Sequence, residues 1–333
     1  MMRRKNLVGK NLQIKGRLIF FNEELHKYTD DLGNPYISVT TLIHKYVNEF
    51  DKEAIAKACE KIGKNPTHKD YLKYKGRTAK QILKEWDDET KRACNKGTIK
   101  HNFLEQAIKK SSGYKIDDNG FIQDQIYTID NIIQKHRFGK LNLDYFIETG
   151  IKDKYPTIFQ VIEHFVNKGY NIYSEIGVYS FQYLVSGLID ILLVKDTDFV
   201  ILDWKTNKAP IRFEAGYYKK DINGNLLLDQ YVVKDDVFKH PLTNLADSVG
   251  NHYTMQLSTY AYLVETFGFT CKGLILCHIR TVQNNELDFN KDGEFKEQEE
   301  VKFHKIEYLK ESVEAMLGDY AYNNMNKTTL TLF

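Results

Sequence analysis

Two stretches in the middle of the chain set acids into otherwise apolar runs: Ser186-Gly187-Leu188-Ile189-Asp190 and Ile201-Leu202-Asp203-Trp204-Lys205-Thr206. A buried carboxylate is costly unless it is paired, hydrogen-bonded or bound to a metal. Side chains two apart on a strand leave the same face, so Asp203 and Lys205 share one. If the two stretches are neighbouring strands, Asp190 joins them, and two carboxylates and an ammonium converge on one patch. That combination suits phosphodiester hydrolysis. Hard carboxylates hold Mg²⁺ or Mn²⁺ against a phosphate, and the cation lowers the pKa of a bound water. An ammonium alongside positions the nucleophile and offsets charge developing in the transition state. By itself, D-x-K is most often an ordinary ion pair at a strand end.

Other residues add to the pattern. Gly97-Thr98-Ile99-Lys100-His101 is followed four residues on by Glu105, and on a helix His101 and Glu105 share a face. A neutral imidazole beside carboxylates is a further ligand for Mg²⁺ or Mn²⁺, although a lone helical His is usually structural. Gln256 and Tyr260 are again four apart on a predicted helix, an amide and a phenol on one face.

The elements that must position these groups are legible in outline. Arg17 to Phe21 and Glu24 to Tyr28, with turn residues at 30–34, predict a hairpin. A hydroxyl of Ser38-Val39-Thr40, then Asp51, then Thr78 are candidate N-caps for helices carrying Leu42, Ile43 and Tyr46, then Ile55 to Ile62, then Ile82 to Trp86. A further helix is expected over about 90–110, mixed helix and loop over 111–150, and a helix from Pro156 closed by Gly169. Tyr173 to Tyr179, Leu184 to Val194 and Phe199 to Lys205 then read as three strands. An insertion at 207–249 holds a second predicted hairpin, Tyr217 to Lys220 with Leu226 to Val233. A helix at about 253–267, a strand at 274–280, an acidic loop at 291–300, a last strand and a helix at 309–322 complete the chain. Such a succession predicts a layered α/β or α+β fold, not a simple βαβ alternation.

Of the 333 residues, 42% are hydrophobic and 28% charged, a composition of folded chains. No run of 18 apolar residues exists and no apolar stretch follows Met1-Met2-Arg3-Arg4-Lys5, so neither a membrane span nor a secretory signal is expected. Cys59, Cys94, Cys271 and Cys277 form no C-x-x-C pair, which speaks against a zinc ribbon and fits a reducing cytoplasm, a host's if the protein is viral. The abundance of Lys, Asn, Ile and Tyr fits an AT-rich genome. The net charge of +2 conceals an asymmetry: residues 1–110 hold 24 Lys and Arg against 14 Asp and Glu, and the remainder 23 against 31. The basic first third is either a polyanion contact or a solvated surface. The expected organisation is a hairpin and basic helical region at 1–112, ending in the His101 helix, and a core at 113–333, integrated into one domain.

Taken in order, G-x-x-x-H-x-x-x-E, G-x-x-D, D-x-K-T and Q-x-x-x-Y resemble the RecB-type branch of the PD-(D/E)XK nuclease superfamily, in particular stand-alone bacteriophage nucleases. The resemblance covers roughly residues 90–280. It extends weakly to Ser38-Val39-Thr40, similar to an opening segment in phage and mitochondrial relatives. It implies a restriction-endonuclease-like core with a central mixed sheet flanked by helices. It also implies His101, Asp190, Asp203 and the Trp204 carbonyl as ligands of Mg²⁺ or Mn²⁺, with Lys205 as the catalytic lysine. Thr206 follows in the same motif. Gln256 and Tyr260 would shape the site and hold the strand. Glu175, placed at the opening of its strand, would act from behind the ligands, and Glu105 as an orienter or second-metal ligand. Ile189 stands where the superfamily's name has proline, and the four-cysteine iron–sulfur clamp of some relatives is missing, so no cluster is expected. The inserted hairpin, with Tyr217, Tyr218, Lys219 and Lys220, reads either as a flap stacking on and binding DNA or as a cover for a sheet edge.

The expected function is a metal-dependent DNA exonuclease of recombination, repair or replication. Alternatives are a structure-specific or nicking endonuclease, and a non-catalytic DNA-binding scaffold. No G-x-x-x-x-G-K-[ST] loop is present, so no nucleotide cofactor is expected and any helicase would be a separate partner, as would a single-strand-binding or annealing protein.

Overall fold

The computed structural model describes residues 12–14, 17–22, 27–30, 32–114, 127–133, 139–221, 225–282 and 298–330. The chain opens with β1 (Leu12–Ile14), β2 (Arg17–Asn22), β3 (Lys27–Asp30) and β4 (Pro35–Ser38), a meander whose strands pair antiparallel in sequence order. Ser38 ends β4 and caps α1 (Val39–His44), its hydroxyl accepting from the Thr41 N–H. Then come α2 (Lys52–Ile62), α3 (Tyr71–Tyr74) and α4 (Ala79–Ser111). Asp51 caps α2, and Thr78 opens α4 in a reciprocal capping box with Gln81, as their side-chain oxygens predict. The two helices expected over 78–110 are one helix of 33 residues. Residues 87–92 are polar, but they contain no Gly or Pro to break it.

Next follow β5 (Tyr127–Thr128), α5 (Ile129–Ile133), α6 (Leu143–Glu148), α7 (Ile151–Lys154) and α8 (Pro156–Asn167). The three expected strands are β6 (Asn171–Ser180), β7 (Val185–Lys195) and β8 (Asp198–Lys205). The inserted hairpin is β9 (Gly216–Lys220) with β10 (Leu226–Val233), and α9 (Val249–Glu265), β11 (Thr270–Val282), β12 (Gln298–Ile306) and α10 (Lys310–Leu330) end the chain. Residues 23–26, 115–126, 134–138, the hairpin turn at 222–224 and most of the acidic loop, 291–297, lie outside the described residues. No described helix is long and apolar enough to cross a membrane.

The result is an α/β fold with one mixed sheet flanked by helices. β6 and β8 run antiparallel to β7, β11 is parallel to β8 with α9 in the connection, and β12 is antiparallel to β11. The central strands are apolar almost throughout because both faces are covered. One core gathers α1, α9 and α10 against Leu192, Val194, Phe199 and Ile201. The other gathers α4, α6, α7 and α8 against Ile191, Leu193, Val200, Leu202 and Trp204.

Two features make room for a site. One edge of β7 pairs with β4 at Val185 and Ser186, and with β8 only from Ile191 onward. Gly187 to Asp190 therefore have no strand partner on that edge. In addition, the alternation between cores reverses there: Ile189 falls in the same core as Leu192, not with Ile191. The β6 partner reverses with it, at Glu175, which has φ +56. Asp190 thus sits at a fork where helices from both layers can reach it.

Helix α4 is braced to the far strands. The Lys100 ammonium lies 2.5 Å from Glu299 and donates to Thr281, while Tyr155 OH donates to the other Glu299 oxygen at 2.7 Å. Both charged side chains are largely buried. Glu299→Ala strands the ammonium with one neutral partner and is expected to cost about 3 kcal/mol in urea unfolding; Lys100→Met combined with Glu299→Leu should recover most of it.

Candidate functional site

Three acids meet where β6, β7 and β8 adjoin. Ser174 faces Ile191 and Ile176 faces Ile189, so Glu175 stands opposite Asp190. The β7–β8 pairing ends at Ile191 and Leu202, and Asp190 and Asp203, each one residue beyond, are close enough for their charges to act on each other. Glu175 lies mid-strand in β6, not at its opening. Asp203 is buried, at 2% exposure, and Asp190 nearly so. Asp190 Oδ2 accepts from the Trp204 N–H at 2.9 Å. Asp203 Oδ2 has no hydrogen bond of good geometry, and its close neighbour is the Lys205 ammonium at 2.5 Å.

Lys205 is held from three sides. Its ammonium donates to Gln256 Oε1 at 3.0 Å and lies 4.4 Å from the centre of the Tyr253 ring, besides meeting Asp203. Gln256 in turn donates to Tyr260 OH at 3.0 Å. Burial opposes its charge, but Asp203 and Asp190 outweigh it and raise the lysine's pKa. Burial, then the charges of Asp203 and Glu175, push the Asp190 carboxyl well above its ordinary range. Two carboxylates beside one ammonium leave a deficit of positive charge.

His101 approaches from the opposite helical layer. Its Nδ1 is 3.8 Å from Asp190 Oδ2, its ring hydrogen-bonds the Trp204 carbonyl, and burial lowers its pKa. Glu105 lies one turn on, close enough to act on His101 electrostatically, while bonded to Lys109. Among the described residues, no three His, Cys, Asp or Glu side chains make a preformed metal shell.

Both motif glycines serve close approach. A Cβ on Gly97 would meet Thr206 Oγ1 at 2.9 Å, so α4 rests directly on the end of β8. A Cβ on Gly187 would meet Tyr260 Cε1 at 2.4 Å. Gly187→Ala is expected to displace that ring and cost about 1–3 kcal/mol, read by urea unfolding.

The remaining candidates lie farther out. Ser38 Oγ meets Thr40 Oγ1 at 3.1 Å, and Ser38 pairs with Ser186 of β7, so the opening segment adjoins the fork. The hairpin β9–β10 forms a separate two-stranded sheet. Tyr217, Lys219 and Lys220 are exposed on it, whereas Tyr218 is buried against Tyr231 and its OH accepts from Arg212. The N-terminal lysines decorate a lobe of α2, α3 and the first turns of α4 with its own small core, Ala56, Cys59 and Ile82. Lys57, Lys61, Lys69, Lys75, Lys80 and Lys84 are exposed there.

Sequence reasoning missed Tyr253, Asn207 and His278. Tyr253 precedes Gln256 by three residues and so shares its helical face, a signal the sequence did carry. His278, buried opposite Lys205 on β11, bonds the Asn207 carbonyl at 2.7 Å and fixes the chain just past the lysine. Comparison with models of known families, with curated proteins and with solved structures finds no match to this chain.

Proposed function

We propose that the chain is a metal-dependent DNA nuclease of the RecB-type PD-(D/E)XK kind, removing nucleotides from DNA ends in recombination, repair or replication. The observation that carries this reading is the acid cluster Glu175, Asp190 and Asp203, with Lys205 two residues beyond Asp203 and His101 approaching Asp190 from α4. The succession of three strands, a helix and a strand parallel to β8 supports it.

The donor set fits Mg²⁺ or Mn²⁺. Asp190 and the buried Asp203 act on each other electrostatically, Asp203 Oδ2 meets only the Lys205 ammonium, and the donors are oxygen and imidazole. Asp190, Asp203, His101 and the Trp204 carbonyl would hold the ion, with Glu105 and Glu175 behind them. When bound, it supplies a water of lowered pKa and offsets charge on the phosphoryl group.

The chain's own residues do the positioning. Gln256 and Tyr253 fix the Lys205 ammonium, which can then hydrogen-bond an attacking water and a phosphate oxygen in an orientation set beforehand. Tyr260 holds Gln256 and, packed on Gly187, closes the floor of the site to water. Burial favours neutral His101, with a lone pair available. The lysines of the N-terminal lobe offer a positive surface to backbone phosphates. Unwinding, where needed, falls to a partner, since the chain carries no phosphate-binding loop.

The test is incubation of the purified protein with Mg²⁺ or Mn²⁺ and DNA that is either linear and end-labelled or a closed circle. Loss of linear strands alone supports the exonuclease. Cutting of circles replaces it with a structure-specific or nicking endonuclease. Binding with no cleavage of either overturns the nuclease reading in favour of a scaffold.

A further inference from the structure

Beside Lys205, between α1 and α9, lies a cleft of about 250 Å³. Ile43 and Val249 give it apolar surface, and His44, His252 and Tyr253 give it rings. Thr40 and Gln256 are its other lining residues, and no lysine, arginine or carboxylate lines it. Two of these residues, Tyr253 and Gln256, are the same side chains that hold the Lys205 ammonium. Whatever enters the cleft is therefore one side chain away from the lysine.

We infer that this cleft receives one unpaired nucleobase of the strand being cut, next to the scissile phosphate. The inference rests on the nuclease reading above and specifies its substrate as single-stranded DNA or a frayed end.

Three observations carry it. The lining is aromatic and apolar with no lysine or arginine, which suits a base better than a phosphate. The walls are fixed in advance: His252 is bonded to Asp247 at 2.7 Å and packed edge-on against Phe238, and Tyr253 OH reaches Asn207 Oδ1 at 3.4 Å. Rigid rings bind a flat partner without the entropy cost of ordering them. Most of the polar groups are already engaged, Thr40 with Ser38, Gln256 with Lys205 and Tyr260, and His252 with Asp247, so the cleft reads a ring more than a sequence. A base inside a duplex has both faces stacked and its edge paired, and it must leave the stack to enter. That step costs least in a single strand.

The test is equilibrium binding of short fluorescent oligothymidylates to the full chain, with calcium in place of magnesium to hold the strand without turnover. One set of strands carries a single abasic position moved along its length, and a duplex of equal length is the comparison. An abasic position at one place, next to the cleavage point, is expected to weaken binding about tenfold, with little effect elsewhere. Val249→Trp, which fills the mouth of the cleft, should weaken single-strand binding to the same degree and leave duplex binding unchanged. Indifference to every abasic position overturns the inference whether or not the variant folds, and so does duplex bound as tightly as single strand. The parallel magnesium assay separates the two claims. Cleavage without an abasic effect removes only the cleft's role, whereas an abasic effect without cleavage removes the nuclease reading and leaves the cleft as a base-binding site.

Discussion

Asp190→Asn is expected to abolish cleavage, by at least about 10³-fold, while making the protein more stable. The loss follows if Asp190 is a ligand and charge carrier, for an amide is a poor substitute in both roles. The gain follows from its surroundings. The carboxylate is nearly buried beside Asp203 and opposite Glu175, and its ionised form is disfavoured in the folded state. An amide can still accept from the Trp204 N–H, and it carries no charge to repel Asp203 and Glu175. A rise in stability should appear in urea unfolding. The pH dependence has a definite sign. A carboxyl with a raised folded-state pKa binds more protons folded than unfolded, so stability is greatest below the ordinary carboxylate range. It is lost as pH rises through the raised value, and in EDTA that decline should be smaller in the Asn variant. Functional sites commonly hold such unfavourable pairs. A variant that is inactive and less stable would mean that Asp190 is structural.

Lys205→Ala should lose cleavage to a similar degree but move stability the other way. Asp203 is buried and would lose its neighbouring ammonium, and Gln256 would lose its donor. Breaking a buried pair from one side typically costs about 3 kcal/mol or more. Lys205→Arg preserves the charge but not the compact ammonium, and should regain stability without regaining cleavage. Full activity in either variant would remove the lysine from the mechanism.

The core strands could be read because β6, β7 and β8 are apolar runs between turn residues, and the helix starts because Ser38, Asp51 and Thr78 carry capping oxygens. The continuity of α4 was hidden by polar residues 87–92, which suit a helix in solvent as well as a loop. The pairing of β4 with β7 joins residues far apart in the chain at only two positions, Ile37 and Ser38, and no local pattern announces it. Within the site, Asp190, Asp203 and Lys205 were legible from strand spacing, and His101 and Gln256 from helical spacing. Their cooperation depends on less visible features. Gly97 and Gly187 act through what is missing at Cβ, Glu175 through a backbone turn, and His278 through a carbonyl on another strand. Each is a long-range contact whose partner a linear pattern does not name.

The most direct test of the account is cleavage of an end-labelled single strand by the wild-type chain and by Lys205→Ala, each with magnesium and with EDTA. The account predicts nucleotide release only by the wild type and only with magnesium. Release that survives EDTA or the loss of Lys205 would contradict it.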